Sequence, residues 1–201
     1  MILGGLEMWK TIEGAGRFGQ SMPRPAAIVT CRLGEKANAL AVAWHSPISF
    51  DPPLFGISIA SKRFSLRLIL ESGEFAVNFL PFGEAEIIAS VGGSTGAEID
   101  KFERFQIPTK EALRIKAPLL ASAYAVYECR VVDHRTWGDH EWIVGEVLVT
   151  HYDPEAFTPR ETLDLRKVEP ALYLGGEIYV SAPPAPQKVL DRREYGRKFK
   201  R

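Results

Sequence analysis

This chain has few cysteines, no net charge and no long apolar run. Its two cysteines, Cys31 and Cys129, each stand in an apolar run, which is more typical of buried thiols than of a disulfide or a metal site. The 25 basic residues balance the 25 acidic ones, so no general electrostatic force draws the chain to nucleic acid or to an anionic membrane. No stretch approaches the roughly 20 apolar residues of a membrane span, and residues 1–14 lack the basic start and apolar core of a secretory signal. These absences predict a cytoplasmic protein that binds neither nucleic acid nor membrane.

What the chain does have is an ordinary globular composition. Hydrophobic residues make up 46% and charged residues 25% of the 201 residues, enough for one domain with a substantial core. From Ser181 onward the sequence is rich in proline and then basic. We therefore expect a domain over residues 1–180 and a tail over residues 181–201 that wraps a partner or stays mobile.

Apolar alternation recurs along the chain and predicts a mostly β protein. Strand patterns occupy residues 24–33, 38–44, 54–60, 74–80, 123–135, 140–153 and 170–180. Helical spacing is confined to residues 65–73, 83–93 and part of 94–107. In the first of these helices Ser65 is the expected N-cap and Gly73 the expected C-terminal glycine. Because short strands outnumber helices and no GxGxxG follows a strand, a closed or nearly closed β-barrel is favoured over a doubly wound sheet.

Two features surround the strand at residues 54–60. The segment SPISFDPPL (46–54) carries two adjacent prolines, which cannot donate to a sheet ladder, so we expect a rigid lead-in to the strand and not a strand. Within the strand, Phe55, Ile57 and Ile59 alternate with glycine, serine and alanine, which gives one large and one small face. A small face indicates that a backbone or a flat ligand packs against it.

A candidate anion site follows that strand. Ser61, Lys62, Arg63 and Ser65 come within five residues, where a strand ends and a helix begins. A helix N-terminus offers free N–H groups and a partial positive charge, so two hydroxyls and two cations placed there suit a phosphate. The alternative is a capped helix with solvated charges, and the residues alone leave both interpretations open.

Two further groups of polar and aromatic residues have a functional and a structural interpretation. Trp44, Ser46 and Ser49 follow a run of small residues and line either a flat ring or only a tight barrel strand with a rigid loop. His140 begins a strand beside two acidic residues, where it either donates to a ligand or is a surface polar group. No metal is expected, because the available ligands match neither a tetrahedral motif nor HExxH. Those ligands are His134, Asp139, His140 and His151.

A series of motifs then runs through the chain in a specific order. The motifs are PRPAAIVT (23–30), Asn38 followed by SPISFDPPL (46–54), the two serines of residues 61–65, GEFAVNF (73–79), DKF (100–102), KAPLLASAYAVYEC (116–129), GDH (138–140) with GEV (145–147), and YLGGEIY (173–179). Together they resemble the flavin reductase-like, FMN-binding split-barrel family, in particular its flavoredoxin-like branch. The resemblance implies a six-stranded antiparallel split β-barrel of Greek-key type with a few short helices. It also implies a homodimer with FMN in a groove near the subunit interface.

The same resemblance implies the residues of the FMN site. The phosphate would lie on the segment 61–65, with Ser61, Lys62, Arg63 and Ser65 as its contacts. The isoalloxazine ring would lie along residues 38–49, with Asn38, Ala43, Trp44, Ser46, Pro47 and Ser49 as its contacts. The border of the pocket, from the same or the second subunit, would be Lys101, Phe102 and Tyr173. Ala41 and Ala43 stand where many relatives carry Pro and Ser, so one hydrogen bond to the ring edge does not carry over to this chain.

The function implied by the resemblance is reduction of flavin by NADH or NADPH. His140 is implied as the catalytic residue, near the flavin and the incoming nicotinamide. Because the cofactors carry the hydride chemistry, the protein needs no general base; it stacks the two rings and stabilises the negative charge of reduced flavin. The predicted enzyme is an NAD(P)H-dependent flavin or ferric-chelate reductase whose electron acceptor is a small molecule or a protein. Two alternatives share the site: an electron-transfer flavoprotein that does not use NAD(P)H, and an FMN-binding module without turnover.

Overall fold

The structure, a computed structural model, describes residues 10–186 and 188–192 of the chain. The strands in these ranges are β1 (Arg24–Pro25), β2 (Ala27–Leu33), β3 (Lys36–Val42), β4 (His45–Phe50), β5 (Pro53–Ala60), β6 (Glu74–Phe79), β7 (Thr109–Lys110), β8 (Leu119–Leu120), β9 (Ala125–Trp137), β10 (His140–Tyr152), β11 (Leu172–Gly175) and β12 (Ile178–Val180). The helices are α1 (Phe64–Ser72), α2 (Ala85–Gly92) and α3 (Lys101–Arg104), with 3₁₀ turns at Gly19–Ser21, Phe82–Glu84 and Pro154–Ala156. Within the described ranges, none of the helices has the length and apolarity to cross a bilayer.

Seven strands form one antiparallel sheet that closes on itself. Their order is β3-β2-β6-β9-β10-β5-β4, so β3 and β4 lie at opposite edges of the sheet. In the chain, however, only Ala43 and Trp44 separate these two strands. A link this short spans only about 10 Å, so the sheet must curl until its two edges meet. Counted as one bent strand, β3 and β4 give a six-stranded antiparallel barrel, and the predicted split-barrel class is confirmed.

The interior of the barrel is built from the large faces of its strands. On β5, Phe55, Ile57 and Ile59 are at most 4% exposed and belong to one continuous apolar cluster, as their alternation predicted. At Gly56 the small face of β5 meets a side chain of the neighbouring strand, whereas Ser58 and Ala60 of the same face line a groove described below. A Cβ on Gly56 would lie 2.2 Å from the Trp142 indole of β10. The absence of a side chain at Gly56 therefore leaves the space that the Trp142 ring occupies.

The segment SPISFDPPL behaves differently from the prediction. Residues 45–50 form the edge strand β4, which turns at Asp51 and Pro52 and pairs with β5. The expectation of a non-strand lead-in was therefore wrong. Pro47 is tolerated because β4 is an edge strand with a bulge between Pro47 and Ser49, so the missing N–H interrupts no central ladder.

Helix α1 lies against β2 and closes one end of the barrel core. Its apolar spacing buries Leu68 and Ile69, and Gly73 adopts the left-handed conformation that ends the helix, as predicted. The helix begins at Phe64, and its N-cap is Arg63, two residues before the predicted N-cap Ser65. Ser65 is instead buried inside the first turn.

The remaining elements surround the barrel. The hairpin of β9 and β10 turns at Gly138 as predicted, and the region 170–180 forms a hairpin of two strands, β11 and β12, which pairs with β1. Cys31 and Cys129 are free, fully buried thiols. Of the predicted tail, residues 187 and 193–201 lie outside the described residues, as do residues 1–9 at the other end.

Candidate functional site

Two grooves meet at the seam where β3 passes into β4. A groove of about 450 Å³ lies between β3, the C-terminal end of α2 and the β11–β12 hairpin. A smaller groove of about 180 Å³ lies between the end of β3, β5 and the start of β10. Both are lined by residues 41–43 and by Arg63, so they form one continuous surface with a single cation at the junction.

Small residues and tyrosines form the walls of the larger groove. The C-terminal end of α2 lies so close to β3 that a Cβ on Gly92 would come within 3.3 Å of the Ala41 methyl. Facing this wall are Tyr173 and Tyr179, whose ring centroids are 5.2 Å apart. The lining of the groove thus combines small apolar residues of β3 and α2 with the phenol rings of the β11–β12 hairpin.

Aromatic rings and a histidine line the smaller groove. The ring centroids of Trp44 and His140 lie 4.9 Å apart at an angle of 31°, and those of Phe18 and Trp44 lie 5.3 Å apart in a T-shaped arrangement. The Ser58 N–H donates to the Trp44 carbonyl at 2.8 Å, which fixes the backbone at the seam. A planar ligand at this position would contact the indole and the imidazole together.

The tautomer of His140 is set by its neighbour. Its Nδ1 lies 2.7 Å from the Asp139 carboxylate, and because a carboxylate only accepts, Nδ1 carries the hydrogen. The hydrogen bond that His140 donates lowers the pKa of Asp139, and the electrostatic attraction of His140 lowers it further. The carbonyl of Asp139 in turn accepts from the Ser61 N–H at 3.0 Å, which ties the β9–β10 turn to the segment before α1. This arrangement leaves Nε2 as the ring nitrogen available to a ligand.

Of the predicted phosphate contacts, Arg63 is the one that lines the grooves. It precedes α1, whose N-terminus no described side chain caps. The Leu66 N–H donates to the Arg63 carbonyl at 3.0 Å, so the first-turn N–H groups available to an anion are those of Phe64 and Ser65. Ser61 and Lys62 are exposed at the end of β5. Ser65 is buried, and its hydroxyl oxygen accepts from the Asn38 amide at 2.7 Å, so its contact with a phosphate stays a prediction.

Lys101 lies behind the groove wall. It is 3% exposed, and its ammonium donates to the Ala39 carbonyl of β3 at 2.9 Å and to the Val91 carbonyl of α2 at 2.7 Å. It therefore joins the two elements that form the groove walls. Burial lowers the pKa of Lys101 from 10.5 to about 8; the Arg63 charge lowers it further and Cys31 opposes the shift.

The structure thus brings five of the predicted residues into the grooves and places the others around them. The five are Ala43, Trp44, Arg63, His140 and Tyr173. Asn38 and Lys101 are buried beneath the site, and Phe102 packs against the cluster under α2. Ser46, Pro47 and Ser49 lie on β4, where Ser46 donates to the Pro47 carbonyl. Their contact with a ring stays a prediction.

Several lining residues were not singled out from the sequence. They are Ala26, Ser58, Gly92, Gly93, Glu177 and Tyr179. The paired glycines after an apolar helix were a usable signal, because adjacent glycines at a helix end permit close backbone approach. Two of the potential metal ligands considered above are histidines that each pair with a carboxylate, His134 with Glu141 and His151 with Glu128. The described residues contain no group of three or more potential ligands.

The fold and the grooves define a split-barrel domain with a groove at its seam that carries the Arg63 cation. The family model described as "Flavin reductase like domain" matches residues 18–180, so the chain belongs to that family. An uncharacterized protein of Archaeoglobus fulgidus is 37% identical over 120 residues, which cover 59% of this chain and 68% of that protein.

Solved structures agree with this assignment. An FMN-binding protein from Thermus thermophilus, with bound 1-cyclohex-2-enone, matches with a TM-score of 0.81 and 28% identity over 90% of this chain and 98% of that chain. The flavoredoxin of Desulfovibrio vulgaris (Miyazaki F) matches with a TM-score of 0.81 over 92% of this chain and all of its own, at 19% identity, which shows the fold alone. The resemblance seen in the sequence is confirmed, and the class is that of a flavin-related oxidoreductase.

Proposed function

We propose that this chain binds FMN in the larger groove and uses it to accept a hydride from NADH or NADPH. The observation that carries the proposal is the junction of the two grooves at Arg63 in a chain of the flavin reductase-like family. The larger groove, at about 450 Å³, falls in the range of roughly 300–1,000 Å³ typical of cofactor sites. The FMN-binding protein of Thermus thermophilus supports the choice of flavin.

The residues present fit both the ring and the phosphate of FMN. The alanines of β3 and the two glycines at the end of α2 are small and leave room for a planar ring beside the tyrosines. Arg63 and the free N–H groups at the start of α1 supply charge and donors for the phosphate. When bound, FMN supplies the hydride chemistry. His140 then offers Nε2 at the edge of the smaller groove, while its Nδ1 is held by Asp139, so Nε2 is the ring nitrogen that a ligand would meet.

Anaerobic mixing tests the activity. The purified protein is loaded with FMN and mixed with NADH or NADPH without oxygen, and the visible absorbance band of the flavin is followed. We expect the band to bleach with at least one nucleotide. Binding of FMN without bleaching by either nucleotide would refute the reductase proposal, and failure to bind FMN at all would refute the flavin site.

Replacement of Arg63 tests the site. Arg63→Met should weaken FMN by about tenfold to a hundredfold, since a charge-assisted contact is worth ~1.5–3 kcal/mol, while riboflavin binding stays unchanged. The matched control is Arg67→Met, which removes an exposed cation of α1 that pairs with Glu71 at 4.0 Å. Equal weakening of FMN and riboflavin would place the phosphate elsewhere.

One observation favours the electron-transfer alternative. The smaller groove holds about 180 Å³, below the roughly 300–1,000 Å³ typical of ligand sites, so it offers little space for a nicotinamide beside the flavin. A flavin protein whose second groove stays closed would exchange electrons with a protein surface and not with a nucleotide. The same anaerobic experiment decides, because such a protein is reduced by dithionite and not by NADH or NADPH.

We also propose that two copies associate through β4. Ile48 is 46% exposed and Phe50 is fully exposed on this edge strand, and an apolar strand edge left uncovered is a site of association. Light scattering after size-exclusion chromatography should give a dimer for the wild type and a monomer for Phe50→Lys. Leu113→Lys, at another exposed apolar position, should remain dimeric. A monomeric wild type would contradict the proposal.

A further inference from the structure

A second positive charge lies behind Arg63 and is shielded from solvent. The Lys101 side chain is 97% buried, and its two hydrogen bonds go to the carbonyls of Ala39 and Val91, one from each wall of the larger groove. Val91 lies in the last turn of α2, where carbonyl groups carry partial negative charge that stabilises a cation. The Lys101 side chain is thus held between the two walls of the groove and away from solvent.

The groups facing Lys101 determine how it titrates. β3 and α2 face it with backbone carbonyls, the Arg63 guanidinium acts on it from the start of α1, and the Cys31 thiol acts from β2. On its own helix, the Asp100 carboxylate is held by the N–H groups of the first turn, while the neighbouring charged side chains are exposed. Arg63 is therefore the fixed charge that opposes protonation of Lys101.

We propose that Lys101 is a positioning residue of the anion site, and that binding of a phosphate at Arg63 is coupled to protonation of Lys101. The inference rests on the proposed flavin function, and it adds a buried cation, which does not touch the ligand, to the groups that determine the affinity for phosphate. A phosphate at Arg63 cancels the repulsion between the two cations, so it favours the charged lysine. By linkage the charged lysine must favour the phosphate by the same factor.

The titration of Lys101 can be separated from that of the other groups by the choice of pH range. Lys101 titrates near pH 8, whereas burial raises the pKa of Cys31 to about 12, so that thiol stays protonated. A phosphate monoester loses its second proton near pH 6, so FMN keeps its charge of −2 above about pH 7. Riboflavin has the same ring and no phosphate, so it reports any titration of the ring or of the protein that does not involve the anion.

The experiment measures the Kd of FMN and of riboflavin for the wild type between about pH 7 and pH 9.3. We expect FMN to bind roughly three- to tenfold more weakly at the upper end, with riboflavin unchanged. Calorimetry at about pH 8 in two buffers of different ionisation enthalpy should show net uptake of a fraction of a proton with FMN and none with riboflavin. A flat FMN profile, or no proton uptake, would overturn the proposal without any variant.

Variants then test whether Lys101 causes the pH dependence of FMN binding. Lys101→Met should bind FMN roughly three- to tenfold more weakly at pH 7 and show a flat profile, whereas Lys101→Arg should keep both tight binding and a flat profile. Arg104→Met, which removes an exposed cation from the same helix, should keep the wild-type profile. A pH-dependent profile in Lys101→Met would overturn the assignment. If the wild type binds neither flavin, the proposed function fails; if it binds FMN without coupling, only this inference fails.

Discussion

The contact between Gly56 and Trp142 allows a quantitative test of how the outer face of the barrel is packed. In Gly56→Ala the new methyl would lie 2.2 Å from Cζ2 of Trp142 and 2.9 Å from Cδ1 of Ile48, whereas ordinary contacts begin at 3.4 Å. The indole must therefore move by about 1 Å, and overpacking of this kind costs about 1–3 kcal/mol. The lower chain entropy of alanine in the unfolded state returns about 0.4–1 kcal/mol. The net expectation is a loss of about 1–2 kcal/mol in the free energy of unfolding.

Denaturant unfolding monitored by tryptophan fluorescence and by circular dichroism measures this loss. Gly83→Ala is the matched control, because a Cβ there meets no described atom within 4 Å, and it should leave the stability nearly unchanged. In a Trp142→Ala background, Gly56→Ala should cost at least about 1 kcal/mol less than in the wild type. Equal costs in both backgrounds, or a Gly56→Ala protein as stable as the wild type, would refute the packing argument.

Three further predictions address the site and the pH dependence of stability. Gly96→Ala places a methyl 2.1 Å from Oδ1 of the buried Asn38 and should lower the free energy of unfolding by about 1–3 kcal/mol in denaturant titrations. Burial lowers the pKa of His45 below 6.5, with Arg24 assisting and the hydrogen bond to Pro25 opposing, so the unfolded chain binds a proton that the folded chain does not. Stability should therefore fall as the pH drops below about 6.5, and less so in His45→Phe. His140→Asn should slow the anaerobic reduction of bound FMN by about tenfold or more while its Kd changes little.

Each of these expectations has a clear contrary result. A Gly96→Ala protein with unchanged stability would mean that the Asn38 amide has room to move. The same pH dependence between about pH 5 and 6.5 in wild type and His45→Phe would assign the effect to another histidine. Unchanged transient reduction rates in His140→Asn would make His140 a surface group that only pairs with Asp139.

Local patterns predicted most of the secondary structure because those signals act over a few residues. The alternation of Phe55, Ile57 and Ile59 identified β5 and its buried face, and the spacing before Gly73 identified α1. The edge strand β4 was missed for a physical reason. A proline excludes a segment from the centre of a sheet but not from its edge, and position in a sheet depends on long-range closure.

The site shows the same division between local and distant causes. Arg63 could be found from the sequence because a strand end, a cation and a helix start are adjacent in the chain. Lys101 could be placed near the pocket only by resemblance, and its burial follows from carbonyls of β3 and α2, distant in sequence. Likewise, the small face of β5 suggested a flat group, but nothing near Gly56 indicated that the group is an indole of β10.

The position of the grooves follows from the closure of the barrel. Ala43 and Trp44 are the two residues where the chain leaves one edge of the sheet and joins the other, so they cannot take part in a regular ladder on both sides. The Trp44 carbonyl is satisfied by Ser58 across the seam, and the small side chains upstream leave space that neither α2 nor β10 fills. Arg63, at the junction of the grooves, immediately precedes α1, the helix that closes one end of the barrel core. A seam that must be irregular for the barrel to close, beside a helix start, therefore provides a groove and places the Arg63 cation in its lining.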